Sequence, residues 1–278
     1  MIKDFLMSGV MPKAGQLLPW KEQIANTVKS IYKNTSKPIM ICLSGGIDSE
    51  IVAREFLESN VPFTAVIFKH DAGTNDHDIQ FALTFCKENN IEFKIIEFNF
   101  DNFLNVKIDS YIQSGYTGVG IFRYLQLLML EEIEKLGGYA VMGAGEYLFY
   151  TKDDQVTWAY SSDYITPYQW CDNNNTDHCP FFFFHNPEIM ASYLNLDLIK
   201  FLTSDSAYFS NWMTEGKSLE KQLIYHALWK GMPRRMKFNG FEKVNAARWQ
   251  KNAMLNKTFP AVKKHYMPLT LLKTQLGI

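Results

Sequence analysis

Residues 38–49 constrain the fold of this chain more than any other stretch. After Pro38, the apolar run Ile39-Met40-Ile41-Cys42-Leu43 is short enough for a buried strand. Ser44-Gly45-Gly46 cuts it, and a helix-like stretch begins near Ser49. A strand that turns straight into a helix opens a βαβ unit, and the first half of the chain repeats the pattern. Residues 63–68 (FTAVIF) and 91–98 (IEFKIIEF) read as the next two strands. Asn75 and Asp76 sit where a helix running to about Asn89 would be capped. Residues 121–136 have helical spacing and stop at Gly137-Gly138, and 139–144 (YAVMGA) supply a fourth strand. Strands alternating with helices predict an α/β fold: a doubly wound parallel sheet with right-handed crossovers and helices on both faces.

Around this core the chain divides into expected units. Residues 1–37 form an N-terminal helical segment, with Ile24, Val28, Ile31 and Tyr32 on one helical face. Residues 38–150 are the α/β core. Residues 151–278 are expected to be a mainly helical substrate or cap region: 151–186 are rich in Asn, Asp and aromatics without a clear period, and helices follow at 187–202, 218–230 and about 241–256. Ser218 is placed as an N-cap and Gly231 and Pro233 as a stop.

Composition narrows the classes. With 278 residues, 47% hydrophobic and 21% charged, the chain can bury a large core and is not a disordered or fibrous sequence. The 28 basic and 29 acidic residues balance to −1, so no general positive field favours nucleic acid as a partner. No apolar run approaches the ~18 residues that span a bilayer, and the N-terminus lacks the pattern of a secretion signal. Cys42, Cys86, Cys171 and Cys179 are irregularly spaced, which fits neither a disulfide framework nor a zinc finger. A soluble, cytoplasmic globular protein is expected, and the Asn-x-Ser/Thr triplets at Asn34, Asn174 and Asn256 are read as chance.

The chemistry is concentrated at the glycine turn. Two consecutive glycines let backbone approach an anion closely, and a following helix points unpaired N–H groups at it. Ser44 and Ser49 add hydroxyls. The turn is not GxGxxG, and no lysine follows the glycines as in GxxxxGK[ST]. It carries Asp48 instead, and an acid beside a polyphosphate requires a divalent cation between them, normally Mg2+.

Ser44-Gly45-Gly46-Ile47-Asp48-Ser49 after an apolar strand resembles the SGGxDS loop of the PP-loop, or N-type, ATP pyrophosphatases. That superfamily has a HUP/Rossmann-like core and splits ATP into AMP and pyrophosphate. The resemblance implies ATP and Mg2+, with Ser44, Gly45, Gly46, Asp48 and Ser49 holding the β,γ-pyrophosphate and its metal. Later segments lean toward the asparagine synthetase branch. Gly143-Ala144-Gly145-Glu146-Tyr147-Leu148-Phe149 is similar to that family's GEGSDELF, which implies a nucleotide contact at Gly143 and a metal-side acid at Glu146. The first acid of the family's segment is Ala144 here, and its Asp-Glu pair is reduced to Glu146. Cys179-Pro180-Phe181-Phe182-Phe183-Phe184-His185 is similar to the PFLD pocket segment without its Asp, and its phenylalanines are expected to be core. Met232-Pro233-Arg234-Arg235-Met236-Lys237-Phe238-Asn239-Gly240-Phe241 resembles the LP…R.K.GF stretch, which implies Lys237 at the reacting phosphate.

The expected activity is an ATP-dependent adenylating ligase forming a C–N bond by asparagine-synthetase-like chemistry. Catalysis is assigned to Asp48 and Lys237. The substrates are a small-molecule carboxylate or nucleobase-like compound and an amine or ammonia. No glutaminase domain precedes the core, so nitrogen is expected as ammonia, as a substrate amine, or from a separate amidotransferase or carrier protein. The alternatives are a nucleotide-binding sensor or subunit without ligation activity, and a nucleobase- or tRNA-modifying adenylating enzyme. By the rule that nucleotides bind at the carboxyl ends of parallel strands, backbone near Ile67 and Phe68 is an adenine contact. Asp71, Asp76, His77 and Asp78, at the same sheet end, read as turn and cap chemistry rather than a metal site. Arg123 reads as a solvated cation, and Cys171, His178, Cys179 and His185 lack a zinc-site spacing.

Overall fold

The structure is a computed structural model, and it describes residues 2–145, 147–205, 219–232 and 241–278. Its centre is a four-stranded parallel sheet of β1 (Ile39–Cys42), β2 (Thr64–His70), β3 (Phe93–Phe98) and β4 (Tyr139–Met142), in the order β3-β2-β1-β4. All four expected strands form. The chain runs from β1 outward to β3, then returns to place β4 on the other side of β1. This makes the gap between β1 and β4 the topological switch point, where open α/β sheets take their ligands.

Side-chain alternation explains why the sheet is covered on both faces. Ile39, Ile41, Ala65, Ile67 and Val141 join one apolar cluster, with α2 (Trp20–Asn34), α3 (Ile47–Glu58) and α4 (Asp76–Glu88). Met40, Cys42, Val66, Phe68, Ala140 and Met142 join another. There they meet α7 (Ile121–Lys135) and the helical stretch of α5 (Phe100–Asn102), a π-helical turn (Phe103–Lys107) and α6 (Ile108–Gln113). In the last stretch the wider π turn interrupts the 3.6-residue repeat.

The C-terminal half carries helices as expected and adds a sheet that the expectation did not include. An antiparallel sheet forms from β5 (Leu148–Lys152), β6 (Gln155–Ser161) and β7 (Lys264–Pro268), in the order β5-β6-β7. Its inner face carries Phe149, Val156, Trp158 and Met267 into the first cluster. Phe5 of α1 (Ile2–Ser8) packs there too, as do Leu269, Leu272 and Leu276 of the terminal helix Leu269–Leu276. One apolar core thus contains residues from all three expected units. After the short helix α8 (Thr166–Asn173), the helix expected at 187–202 is two, α9 (Pro187–Leu194) and α10 (Asp197–Leu202), separated by extended backbone at Leu196. Two further helices complete the site's surroundings, α11 (Leu219–Leu228) and α12 (Asn245–Thr258). Among the described residues no helix is long and apolar enough to cross a membrane.

Candidate functional site

The 44–49 turn leaves the carboxyl end of β1 and enters α3 at Ile47, two residues before the expected start. Gly46 is the N-cap, and no side chain caps the helix, so first-turn N–H groups face outward at its positive end. The turn is wound around its two hydroxyls. Ser49 Oγ donates to the Gly46 carbonyl (3.0 Å) and accepts from the Ser44 N–H (3.2 Å). Ser44 Oγ lies 3.1 Å from Ser49 Oγ and accepts from the Gly46 N–H (3.2 Å).

Two glycines are required by close approach. Gly45 has φ +88°, and a Cβ there would overlap the backbone carbonyl of Asp78, so the first turn of α4 packs against the loop. A Cβ on Gly143 would lie 2.6 Å from Ser49 Cα, so the chain leaving β4 closes the loop's other side. Gly143 therefore acts by letting two backbones touch. The loop lies between the carboxyl ends of β1 and β4, the position predicted for an anion.

Asp48, in the first turn of α3, meets two side chains of α11. Tyr225 Oη donates to Asp48 Oδ1 (2.6 Å), and Lys221 Nζ lies 3.3 and 3.4 Å from the two carboxylate oxygens. The Lys221 side chain is 8% exposed and that of Asp48 18%. Lys221 and Tyr225 are four residues apart and share a helix face with Trp229, whose indole N–H donates to Glu55 one further turn pair along α3 (3.0 Å). Burial raises the Glu55 pKa, and the Trp229 hydrogen bond opposes that rise. Lys21 of α2 adds a bond to the Leu228 carbonyl (2.9 Å). Helix α11 is thereby fixed alongside α3 with its cation at the loop.

Beneath Lys221 and Tyr225 is a narrow aromatic cavity, lined also by Trp20, Tyr147, Phe183 and Tyr193. Trp20 stacks on Tyr225 and Phe183, and Tyr147 donates to the Phe183 carbonyl (2.6 Å). The run from Phe181 to Phe184 is buried, as expected, and Phe183 also forms a wall of this cavity. The segment extends the sheet beside β4: Cys179 N–H donates to the Ala140 carbonyl and Met142 N–H to the Cys179 carbonyl.

Lys237 and Glu146, the expected phosphate lysine and metal-side acid, lie outside the described residues, as does Ser218. Ile67 and Phe68 are on β2 with their side chains in the two cores. The Phe68 carbonyl, the acceptor offered to a base, takes a bond from the buried Asn75 amide (3.0 Å). Asn75 precedes α4 but does not cap it with its side chain; it binds β2 backbone instead. Arg123 is not solvated: it pairs with buried Asp163 (3.2 Å) and lies over the Tyr164 ring. Asp71 accepts not from its own turn but from the Asn99 amide and the Phe100 N–H after β3, while His77 reaches Glu242 (3.3 Å).

The Cys/His set is split between packing sites. His178 Nδ1 accepts from the Ala140 N–H (3.0 Å), its Nε2 faces Glu134 (3.0 Å), and burial lowers its pKa to about 4. Cys179 Sγ lies 3.5 Å from His185 Nδ1. Burial pushes the thiols of Cys42 and Cys171 up to about 12 and that of Cys86 to about 11, so these remain protonated and poorly nucleophilic. Sequence reasoning missed Lys221 and Tyr225. Their i, i+4, i+8 alignment with Trp229 was visible as a helix face, but not its target, 173 residues away at Asp48 for Lys221.

The fold and loop define an α/β protein with a glycine turn at the switch point of its parallel sheet. No family model matches the chain, and no curated protein matches it. Among solved structures it is similar to an NMN synthetase from Francisella tularensis at 15% identity, over 86% of this chain and 92% of that one, with a TM-score of 0.35. An NH3-dependent NAD synthetase from Campylobacter jejuni is similar at 18% identity, over 86% and 97%, with a TM-score of 0.35. The U34-tRNA thiolase NcsA from Methanococcus maripaludis is similar at 16% identity, over 87% and 75%, with a TM-score of 0.34. At such low identity and TM-score the chemistry rests on the chain's own residues.

Proposed function

We propose that this chain is an ATP-dependent adenylating ligase, and the observation that carries the reading is the delivery of buried Lys221 to Asp48 at the open N-terminus of α3. A carboxylate that needs a cation, a lysine within reach of it and a ring of N–H and O–H donors make a receptor for a polyphosphate.

The β,γ-phosphates lie on the 44–49 turn, with the Ser44 hydroxyl donating and Ser49, whose proton goes to the Gly46 carbonyl, bracing the turn. Asp48, oriented by the Tyr225 hydroxyl, is the residue that would hold Mg2+, which would supply charge neutralisation for the departing pyrophosphate. Lys221 exchanges Asp48 for a phosphate oxygen as nucleotide enters. An oxygen of a carboxylate or nucleobase-like substrate attacks the α-phosphorus; the bond to the bridging oxygen breaks and pyrophosphate leaves. An amine or ammonia then displaces AMP. Little covalent work falls to the protein, whose part is positioning and charge stabilisation. Lys237 is the second proposed cation, at the α-phosphate.

A second reading, a nucleotide sensor, is favoured by the same contact, because displacing Lys221 would loosen α11 without chemistry. Incubation with Mg-ATP, a pool of small carboxylates and ammonia separates the two. AMP and pyrophosphate in equal amounts support the ligase. Nucleotide binding with no turnover supports the sensor, and ADP with phosphate overturns the adenylation reading.

A further inference from the structure

Beside Gly45 of the loop, where the Asp78 backbone packs, three side chains converge. His77 and Asp78 stand in the first turn of α4, and Glu242 stands on a short 3-10 turn, Glu242–Val244. One ligand atom from each lies within 4.8 Å of the others, and His77 Nε2 is 3.3 Å from Glu242 Oε2 although the residues are 165 apart in sequence. Among the described residues no other trio of His, Cys, Asp or Glu converges in this way. We propose that His77, Asp78 and Glu242 bind a divalent transition-series cation, a site distinct from the Mg2+ expected at Asp48.

Both halves of the trio are built on anchored backbone. Buried Asn75 ties the start of α4 to β2: its Oδ1 accepts from the His70 N–H (2.9 Å) and its amide donates to the Phe68 carbonyl (3.0 Å). Asp78 is 6% exposed, and its carbonyl packs on Gly45. Glu242 follows Phe241, which is 3% exposed and sits against the rings of His70, Phe100 and Phe122. The ligands are thus carried by two fixed segments, one from the core and one from the C-terminal half.

The donor set selects the cation. Mg2+ favours oxygen ligands and retains water, whereas one imidazole nitrogen with two carboxylates suits Mn2+, Fe2+, Co2+ or Zn2+. Ligands on such an ion lie about 3.0 to 4.2 Å apart for bonds of about 2.1 Å, a range that the 3.3 Å between His77 and Glu242 already meets. Binding would also clip the C-terminal half to the nucleotide loop through α4, which gives the site a structural readout independent of any reaction.

The test uses the full chain, stripped with chelator, without nucleotide. Mn2+ titrated by electron paramagnetic resonance should bind at one ion per chain, with nitrogen coupling from the imidazole in the pulsed spectrum. Bound Mn2+ should raise the melting temperature. His77→Ala and Glu242→Gln should each weaken Mn2+ binding by at least about tenfold and abolish the thermal shift, whereas Asp48→Asn should retain both. Absence of bound Mn2+ in the wild type, absence of nitrogen coupling, or wild-type affinity in the two ligand variants would overturn the proposal. The coupling is read on the wild type, so the test stands even where a variant fails to fold. None of these readouts depends on ATP hydrolysis, so failure of the ligase reading would leave them unchanged.

Discussion

The two flanks of the 44–49 loop solve the same electrostatic problem in opposite ways. On the α11 flank, a carboxylate is met by an ammonium and a phenol, Asp48 by Lys221 and Tyr225. On the α4 flank, Asp78 and Glu242 bring two carboxylates to one imidazole, the donor set of the proposed cation site. The contrast shows how one loop can sit between a protein-supplied cation and a recruited one. It also predicts that substitutions on the two flanks differ in kind: on the first they alter the reaction and the charge pairing, on the second the response to metal.

The largest effect is expected from Asp48→Asn. The amide cannot hold Mg2+ through charge, so pyrophosphate release should fall by on the order of 10²–10³-fold. The fold should also be weakened, because Lys221 is left buried without its counterion; loss of up to about 3 kcal/mol is expected, the lower end for breaking a buried pair. Turnover and denaturant melts of the variant check both parts.

Lys221→Met should lower kcat by a comparable factor, about 10²-fold, at a smaller stability cost, because half-buried Asp48 can recover water. Equal stability losses in Asp48→Asn and Lys221→Met would break the asymmetry claimed for this flank. Tyr225→Phe, which removes one hydroxyl from Asp48, should cost about 1 kcal/mol of stability. Wild-type turnover in Lys221→Met, with loss in Lys237→Ala, would transfer the phosphate role to Lys237.

A pH experiment sharpens the comparison by asking what neither flank controls. The folded-state pKa of His178 is depressed to about 4 by burial, with Ala140 N–H bonded to its Nδ1. The unfolded chain binds a proton near pH 6.5 that the folded chain refuses. Stability from this group is therefore complete above about pH 6.5 and declines as pH falls toward 4. Thermal melts across this range should show the decline, and His178→Gln should reduce its slope by about one proton. A change in the acid slope on Lys221→Met would place the titration at the loop instead.

The smallest effect should be Glu242→Gln without metal. Its bond to His77 lies at the surface of the trio, with side chains 22% and 33% exposed, so stability should change by less than about 1 kcal/mol. A larger loss in metal-free protein would mean that this flank, too, depends on a built-in ion pair.

The four parallel strands and the glycine turn were legible because their signals are local. A buried strand needs an apolar run, a tight turn needs glycine, and a helix needs its repeat, all within a dozen residues. The stop at Gly137-Gly138 is the same kind of signal: Gly137 takes φ +69° as α7 ends. What was not legible depends on distant segments. β7 becomes a strand by pairing with β6, about a hundred residues earlier, so its five residues carry too little periodicity to stand out. Arg123 looked solvated because nothing near it in sequence announces Asp163, and Asn75 looked like a cap because its bonds to β2 exist only after β2 and α4 dock. The sequence by itself determined the sheet, the loop and the acid within it. Tertiary structure alone decided that Asp48 meets Lys221 and Tyr225 of α11 and that His77 meets Glu242, because a charge's partner is set by which helix faces pack together, not by the residues beside it in the chain.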